Sequence, residues 1–507
     1  MVLLTVDTDS VKSYVFATSK LRETRGASAL LDHLNEVRIP EIIGQSRMIY
    51  SGGGTALAQV EDAAEAKALI TRIEKLYRLE TISAEITGAW LELADPASRF
   101  GESVAKLNYR LRAGKDSKAF RHDLITLPIV KGCESCGLHP AARQSEMKDS
   151  LICGSCALKR RANRLVRDGK LGSRLDQLLT YARSKGKWLN ASVDGSAPKD
   201  FNDIGEAASP RGYIGFIYCD GNRMGDLLSC LETRDSFATL SEGLRRTIRE
   251  VTFDGLIRSS PDLQKNNKLP FEIIFIGGDD MMLAVPADKA MSLVVFLCEE
   301  FEKRTASLLD DTGISQHRKH LSLSAAVVLA HASLPVYHVQ SIAEELLKSA
   351  KRGSQDALAN GRGEVGHIDF HVVTASASES PLLTRKAEWL RNDVQLTERP
   401  YSAGELDVLM RRISALKRTG FPSSKLQMLY ESVFSGSATQ AMFMWAFVTG
   451  RARRNKELDK DQVLKLFEFF ERDSGPLICP WRQSESGRLS TPMVDVTELY
   501  DFIDKRD

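Results

Sequence analysis

Short apolar runs and amphipathic stretches alternate along the chain, and one succession of them occurs twice. Val2–Val6 reads as a strand ending on Asp7 and Asp9. Val11–Lys20 has helical spacing, with Val11, Tyr14, Val15 and Thr18 on one side, and Arg22–Leu31 leads into a helix through His33 and Leu34. Met48–Ala58 (MIYSGGGTALA) is apolar–glycine–apolar, a hairpin pattern, followed by an amphipathic helix over Ala63–Tyr77 and a strand at Ile86–Leu93. The order then returns. Tyr213–Cys219 is a strand ending on Asp220, with a helix near Met224–Leu231. The hairpin Phe271–Pro286, a helix over Ala287–Leu308, the strand Leu321–Leu329 and a helix over Val339–Lys351 complete it. The repeat predicts an α+β fold of two ferredoxin-like palm domains, diverged copies of one antiparallel sheet covered by helices.

Beyond His371 the spacing is helical without strand signals, at Pro381–Leu396, Ser402–Lys417, Lys425–Val433, Thr439–Phe447, Asp461–Arg472 and Val496–Ile503. Ser402 and Glu405 form an S-x-x-E capping box. The predicted domains are a first palm over 1–130, a zinc ribbon over 131–158, and a basic connector and loop over 159–205. A second palm over 206–375 and a C-terminal helical domain over 376–507 follow.

The second hairpin reads FEIIFIGGDDMMLAVP, so Gly277, Gly278, Asp279 and Asp280 sit at its tip. Adjacent aspartates in a turn serve either the turn itself, by bonding their own backbone, or catalysis. Asp220 decides between them. It closes the strand that neighbours this hairpin in a ferredoxin-like sheet, so three carboxylates meet, as nucleotidyl transfer with two divalent cations requires. Mg²⁺ or Mn²⁺ suits such oxygen ligands, and glycines at 277 and 278 admit a triphosphate close to the backbone. The first copy carries Gly52, Gly53 and Gly54 at the matching place, which predicts a palm without its metal ligands.

Between the copies, Cys133-x2-Cys136 and Cys153-x2-Cys156 stand sixteen residues apart. Two such turns offer four thiolates, the donor set of a closed, structural zinc ribbon. The following cations, Lys159, Arg160, Arg161, Arg164, Arg167, Lys170 and Arg174, read either as a solvated helix face or as a phosphate-contact surface. The cluster Arg451, Arg453 and Arg454 reads as a surface helix end.

Composition adds limits. At 507 residues several domains are expected, and a net charge of +2 gives no global argument for nucleic acid. No apolar run approaches the roughly 18–20 residues that span a bilayer, and the N-terminus lacks the features of a leader peptide. A cytoplasmic protein without membrane contact is expected, its eight cysteines acting as ligands or buried thiols.

Together these motifs resemble the large, polymerase-like subunit of type III CRISPR effector complexes. The residues that carry the resemblance are FIGGDD, Asp220-Gly-Asn-Arg-Met-Gly225, the paired CxxC between two palms, and LSLSAAVVLAHASLPVYHVQSIAEELLKSAKR. The resemblance implies synthesis of cyclic oligoadenylate from ATP, with Asp220, Asp279 and Asp280 on the metal, Lys348 and Lys351 on the triphosphate, and Ser324 facing a base. Ser324 reads equally as a packing residue, and Lys348 and Lys351 equally as ordinary lysines near a helix end. The resemblance also implies guide RNA and other effector subunits as partners, and leaves room for a homodimer. Asn222 stands where that family often has a second Asp, which lowers the carboxylate count. The chain starts directly with the first palm and shows no HD nuclease motif, so no DNase activity is expected. Two other readings compete: a scaffold subunit that binds RNA and protein with vestigial turnover, and a GTP-using enzyme like the diguanylate cyclases. Against the latter stand the zinc ribbon, the double palm and an Asp where those enzymes carry Glu.

Overall fold

The computed structural model describes residues 1–93, 99–118, 129–145, 150–261, 268–311, 315, 318–373, 380–391, 394–434, 437–454, 458–470, 479–483 and 489–505. The first palm is built from β1 (Val2–Asp9), α1 (Val11–Val15), α2 (Leu21–His33), β2 (Met48–Gly52), β3 (Thr55–Val60), α3 (Ala63–Thr81), β4 (Glu85–Glu92) and α4 (Phe100–Ser117). Its sheet order is β2-β3-β1-β4, all antiparallel, which is the ferredoxin-like arrangement. Next come the ribbon strands β5 (Arg143–Gln144) and β6 (Leu151–Ile152), then α5 (Gly154–Arg167) and α6 (Arg174–Ser184).

The second palm repeats the order with β7 (Tyr213–Gly221), α7 (Met224–Ser229), α8 (Arg234–Ser259), β8 (Glu272–Ile276), β9 (Asp280–Pro286), α9 (Ala287–Asp311), β10 (Leu323–His331) and α10 (Val336–Ala359). The sheet runs β8-β9-β7-β10 and is extended by β11 (His367–Val372), parallel to β10. Its strands are apolar on both faces because both are covered. Ile214, Phe216 and Tyr218 of β7 join a core shared with Val2, Leu4 and Val6 of the first palm, while Ile217 and Cys219 face a second core. The two palms therefore pack through a continuous apolar layer.

Buried ions register them. Arg25 of α2 binds Glu272 of β8 and donates to Pro198 O at 2.9 Å. Arg174 donates to Asp32 at 3.0 Å, to Glu36 at 2.8 Å and to Ile276 O at 3.3 Å, just before the GGDD turn. Gly26 brings α2 onto α5, since a Cβ there would lie 1.9 Å from Lys159 O.

The structure corrects several expectations. The helix expected over Val11–Lys20 ends at Val15. The long helices α8 and α4 carry no clear spacing signal. Residues 381–396 are not one helix: Pro381–Thr384 passes into a π-turn, Arg385–Trp389, and then into β12 (Leu390–Arg391) and β13 (Val394–Gln395). With β15 (Arg482–Gln483) and β16 (Leu489–Ser490) these form a small sheet, and β14 (Tyr401–Ser402) pairs with β11. Strands of two residues leave no periodicity to read. The rest of the C-terminal part is helical. Ser402 and Glu405 form the expected reciprocal cap on Ala403–Arg418, and the end of the helix expected over Asp461–Arg472 lies outside the described residues.

Part of the basic run is internal. Lys159 is buried against the Tyr14 ring and carbonyl, Arg160 pairs with Glu23 at 2.7 Å, Arg167 with Asp194 at 2.5 Å, and Arg174 is spent as above. Arg161, Arg164, Arg167 and Lys170 are exposed on α5 and the turn after it.

Gly53 adopts φ +62°, and a Cβ on it would lie 2.4 Å from Gly278 N. Gly53→Ala is therefore expected to destabilise the protein by about 2–4 kcal/mol in urea unfolding, combining left-handed strain with backbone overlap. Gly54→Ala, at φ +88° with its nearest neighbours 3.6 Å away, is expected to cost only the strain, about 1–2 kcal/mol.

Candidate active site and metal centre

Register places the carboxylates. On antiparallel β7 and β9, Asp220 stands directly opposite Asp280, and the Asp279 carbonyl accepts from Gly221 N at 3.0 Å. The turn closes with Gly277 N donating to Asp280 O at 2.8 Å. Like charges facing each other across a ladder repel, so this arrangement carries an electrostatic cost. Lys351 of α10 meets part of it, donating to Asp220 Oδ2 at 2.5 Å and to Gly221 O at 3.3 Å. Asp279 and Asp280 make no ion pair among the described residues. Burial and the neighbouring Asp220 push Asp279 up to about 7, against the pull of Lys351. Burial, then Asp279 and Asp220, push Asp280 well above the usual carboxylate range.

Such a set of oxygen donors, short of cations, suits a hard divalent ion. The three carboxylates do not converge as the cysteines do: among the described residues only Cys133, Cys136, Cys153 and Cys156 bring three or more donor atoms within 4.8 Å of one another. Cys136 Sγ and Cys153 Sγ lie 3.9 Å apart, close to the roughly 3.8 Å edge of a tetrahedron with zinc–sulfur bonds of about 2.3 Å. Cys153 N and Ser135 N each donate to Cys133 Sγ, at 3.2 and 3.4 Å, supporting thiolate character. The thiols fit zinc.

The cavity above the carboxylates has a volume of about 360 Å³ and walls from both palms: Thr5, Tyr50 and Leu57 on one side, Phe237, Ser241 and Leu244 on the other, with Asp220, Asp279 and Asp280 at its base. A second cavity of about 370 Å³, lined by Lys12, Phe16, Phe275 and Glu344, meets it at Gly53 and Asp280. Lys12, which pairs with Glu344 at 3.0 Å and lies 4.5 Å from the Tyr218 ring centroid, opposes the shift at Asp280. Sequence reasoning missed Tyr50 and Lys12. Nothing local marks them, because the packing of one palm on the other brings them to the site.

The remaining sequence-predicted residues are placed as follows. Gly277 leaves room that a Cβ would contest with Asp280 Oδ1 at 2.2 Å and the Phe275 ring at 2.6 Å, and Gly278 leaves room for the Tyr50 hydroxyl. The space at these glycines is thus taken by the protein's own groups. Ser324 is opposite Asp220 on β10 but fully buried, and donates to Asn222 Oδ1 at 2.9 Å. Asn222 in turn donates to Ser322 Oγ at 2.9 Å, and its carbonyl accepts from Arg318 at 2.8 Å. Both ends of the Asn222 amide are engaged, so it braces the turn after β7. Lys348 is exposed on α10, three residues before Lys351.

The first palm repeats the site in part. Asp7 pairs in register with Thr55 as Asp220 does with Asp280, and Lys115 of α4 lies 2.7 Å from Asp7 as Lys351 lies from Asp220. Its hairpin tip is the glycine turn Gly52–Gly54, without the carboxylates of the second palm. The first palm keeps the strand-end acids, and what it lacks is the acidic hairpin. Thr55 donates to Asp7 at 3.0 Å, and Thr87 and Lys118 donate to Asp9 at 2.6 and 3.0 Å. Burial would raise Asp9, but the bonds from Thr87, Lys118 and Lys115 outweigh it and hold its carboxyl below the ordinary range. That acid set is neutralised by protein.

Asp279 retains its proton to about pH 7 when folded but loses it near 3.8 when unfolded, so its contribution is present at low pH and is lost as pH rises between these values. Without added divalent ions, Asp279→Asn should be about 1–2 kcal/mol more stable than the parent at pH 8, and equally stable at pH 4, by thermal unfolding. For the cysteines, elemental analysis should find about one zinc per chain, and Cys153→Ser should lose most of it.

A family model described as Cas10/Cmr2, second palm domain, matches residues 213–359. No curated protein sequence matches. Csm1 of T. onnurineus aligns at a TM-score of 0.55 with 14% identity, over 98% of this chain and 69% of that one. A Csm1–Csm4 cassette in complex with cA4 gives 0.53 and 14%, over 91% and 68%. Another in complex with cA3 gives 0.54 and 13%, over 99% and 69%. At these identities the structural likeness is one of fold, and the family match rests on the second palm. Residues 213–359 thus resemble the second palm domain of Cas10/Cmr2, and the chain as a whole shares its fold with Csm1.

Proposed function

We propose that this chain is a nucleotidyltransferase that joins ATP into cyclic oligoadenylates in type III CRISPR defence. The observation that supports it most is the placement of Asp220 opposite Asp280, with Asp279 beside them, at the base of a cavity shared by two palms. Its volume of about 360 Å³ lies in the range of small-molecule sites. The solved relatives in complex with cA4 and cA3 agree with this reading.

Asp220, Asp279 and Asp280 would hold Mg²⁺ or Mn²⁺, whose charge offsets the negative charge that develops on the phosphoryl oxygens. The chain's own residues bind and orient. Lys351 and Lys348 supply positive charge to the triphosphate from one helix. Gly277 and Gly278 keep the turn free of side chains. The apolar side chains Leu57, Phe237 and Leu244 exclude water around a base. Ser324, through Asn222, keeps the strand end of Asp220 in place. Two nucleotides held side by side, one against each palm, would need little further motion to react, and this alignment supplies much of the rate enhancement. The first palm acts as the second wall. Csm4 accompanies Csm1 in the solved cassettes, and on the same reading guide RNA and other effector subunits are the partners of this chain in the cytoplasm.

The test incubates the purified protein with labelled ATP or GTP and Mg²⁺ or Mn²⁺. Conversion of ATP to cyclic product is expected, falling by at least about a hundredfold in the double variant Asp279→Ala/Asp280→Ala. Mg²⁺ should also raise the melting temperature of the parent but not of that variant. If no nucleotide is consumed even with partner subunits and target RNA supplied, the chain is a scaffold instead.

A further inference from the structure

We propose that Tyr50, contributed by the first palm, holds the ribose hydroxyl of the acceptor nucleotide above the carboxylates of the second. The proposal rests on the nucleotidyl-transfer reading of the cavity and adds the residue that presents the attacking oxygen.

Tyr50 lies on β2, where the ladder with β3 shifts register between Met48 and Tyr50. It lines the same cavity as Asp220, Asp279 and Asp280. Its hydroxyl is close to the GGDD turn, 2.8 Å from the place a Cβ would take on Gly278 and 3.3 Å from the same place on Gly52. A glycine at 278 is what lets the phenol come that near.

The hydroxyl has no hydrogen-bond partner among the described residues. Tyr50 is half-buried, and Phe would fill the ring's place in this strand equally well, so what the tyrosine adds is a hydroxyl open to the cavity. The other hydroxyls on this wall are spent inside the protein, Thr5 on Ala56 O at 3.1 Å and Thr55 on Asp7 at 3.0 Å. Tyr50 is the first-palm hydroxyl of the cavity left to meet a ligand.

The neighbourhood selects that ligand's chemistry. Asp279 and Asp280 line the same cavity, and their charge acts on the phenol together with those of Arg245 and Glu36. A phosphate oxygen is only an acceptor, and at this point it would face two carboxylates. A ribose hydroxyl can accept from the phenol while donating toward a carboxylate, so it satisfies both walls at once. In the reaction the acceptor oxygen forms a bond to the donor's α-phosphorus. The bond from that phosphorus to the bridging oxygen breaks, pyrophosphate leaves with the electron pair, and the hydroxyl proton passes to solvent. Tyr50 changes neither charge nor bonding. It is a positioning residue.

The test uses Tyr50→Phe in the full chain and compares equilibrium binding of ATP with that of 2′,3′-dideoxy-ATP, both with Ca²⁺. The parent should bind ATP about three- to tenfold more tightly than the dideoxy analogue, the worth of one neutral hydrogen bond. The variant should lose this preference while its melting temperature stays unchanged. In turnover assays kcat should fall by about tenfold or more, with a smaller change in KM. A variant that keeps the full preference for ATP overturns the proposal, as does a parent that shows none. If the parent binds ATP with the preference yet consumes none, the transferase reading fails, and the Tyr50 contact is still decided by the binding comparison.

Discussion

Two glycine turns meet with no side chain between them, and the site depends on that contact. Gly53 of the first palm lies against the backbone of Gly277 and Gly278 in the second. The apolar layer formed by Val2, Leu4 and Val6 with Phe216 and Tyr218 sets how far apart the sheets sit. The turns then determine how closely the hairpin tips approach. A Cβ at 53 would overlap the backbone of Gly278 and force the turns apart. The buried pair Arg25–Glu272 and the contacts of Arg174 hold the same alignment from behind.

The two palms solve one electrostatic problem in opposite ways. Each carries an aspartate at the end of its first strand and a lysine reaching it from the last helix, Asp7 with Lys115 and Asp220 with Lys351. In the first palm a threonine stands opposite the aspartate, and two lysines and two threonines satisfy the acids. In the second another aspartate stands opposite, a third lies beside it, and the protein leaves the surplus charge uncompensated. An unneutralised acid cluster costs stability, and its place at a cavity base is what the proposed metal-binding role accounts for. The silent palm is stable because its charge is closed.

The elements whose spacing was hardest to read show why local pattern is limited. Helix Arg234–Ser259 contains Gly243 and Gly255, which weaken helical propensity. A Cβ at these positions would meet Leu308 at 2.5 Å and Leu293 at 2.7 Å, so the glycines admit the close crossing of α8 on α9. The lysines and arginines after the ribbon looked like a surface because their partners, Glu23, Asp32, Glu36 and Asp194, are far away in sequence. Charge runs are legible locally, whereas pairing is not.

By itself, the sequence determined the β-α-β-β-α-β order of both palms, the three aspartates of the second, and the cysteine quartet. Each is a short-range pattern: strand ends, a tight turn, and paired CxxC spacing. Tertiary structure decided what the spacing cannot carry. It set Asp220 opposite Asp280 by register, turned Asn222 and Ser324 toward each other as a brace, and brought Tyr50 and Lys12 from the other palm to the cavities. These depend on the packing of one sheet against another, which sums many weak apolar contacts between residues distant in the chain, so no local stretch encodes it.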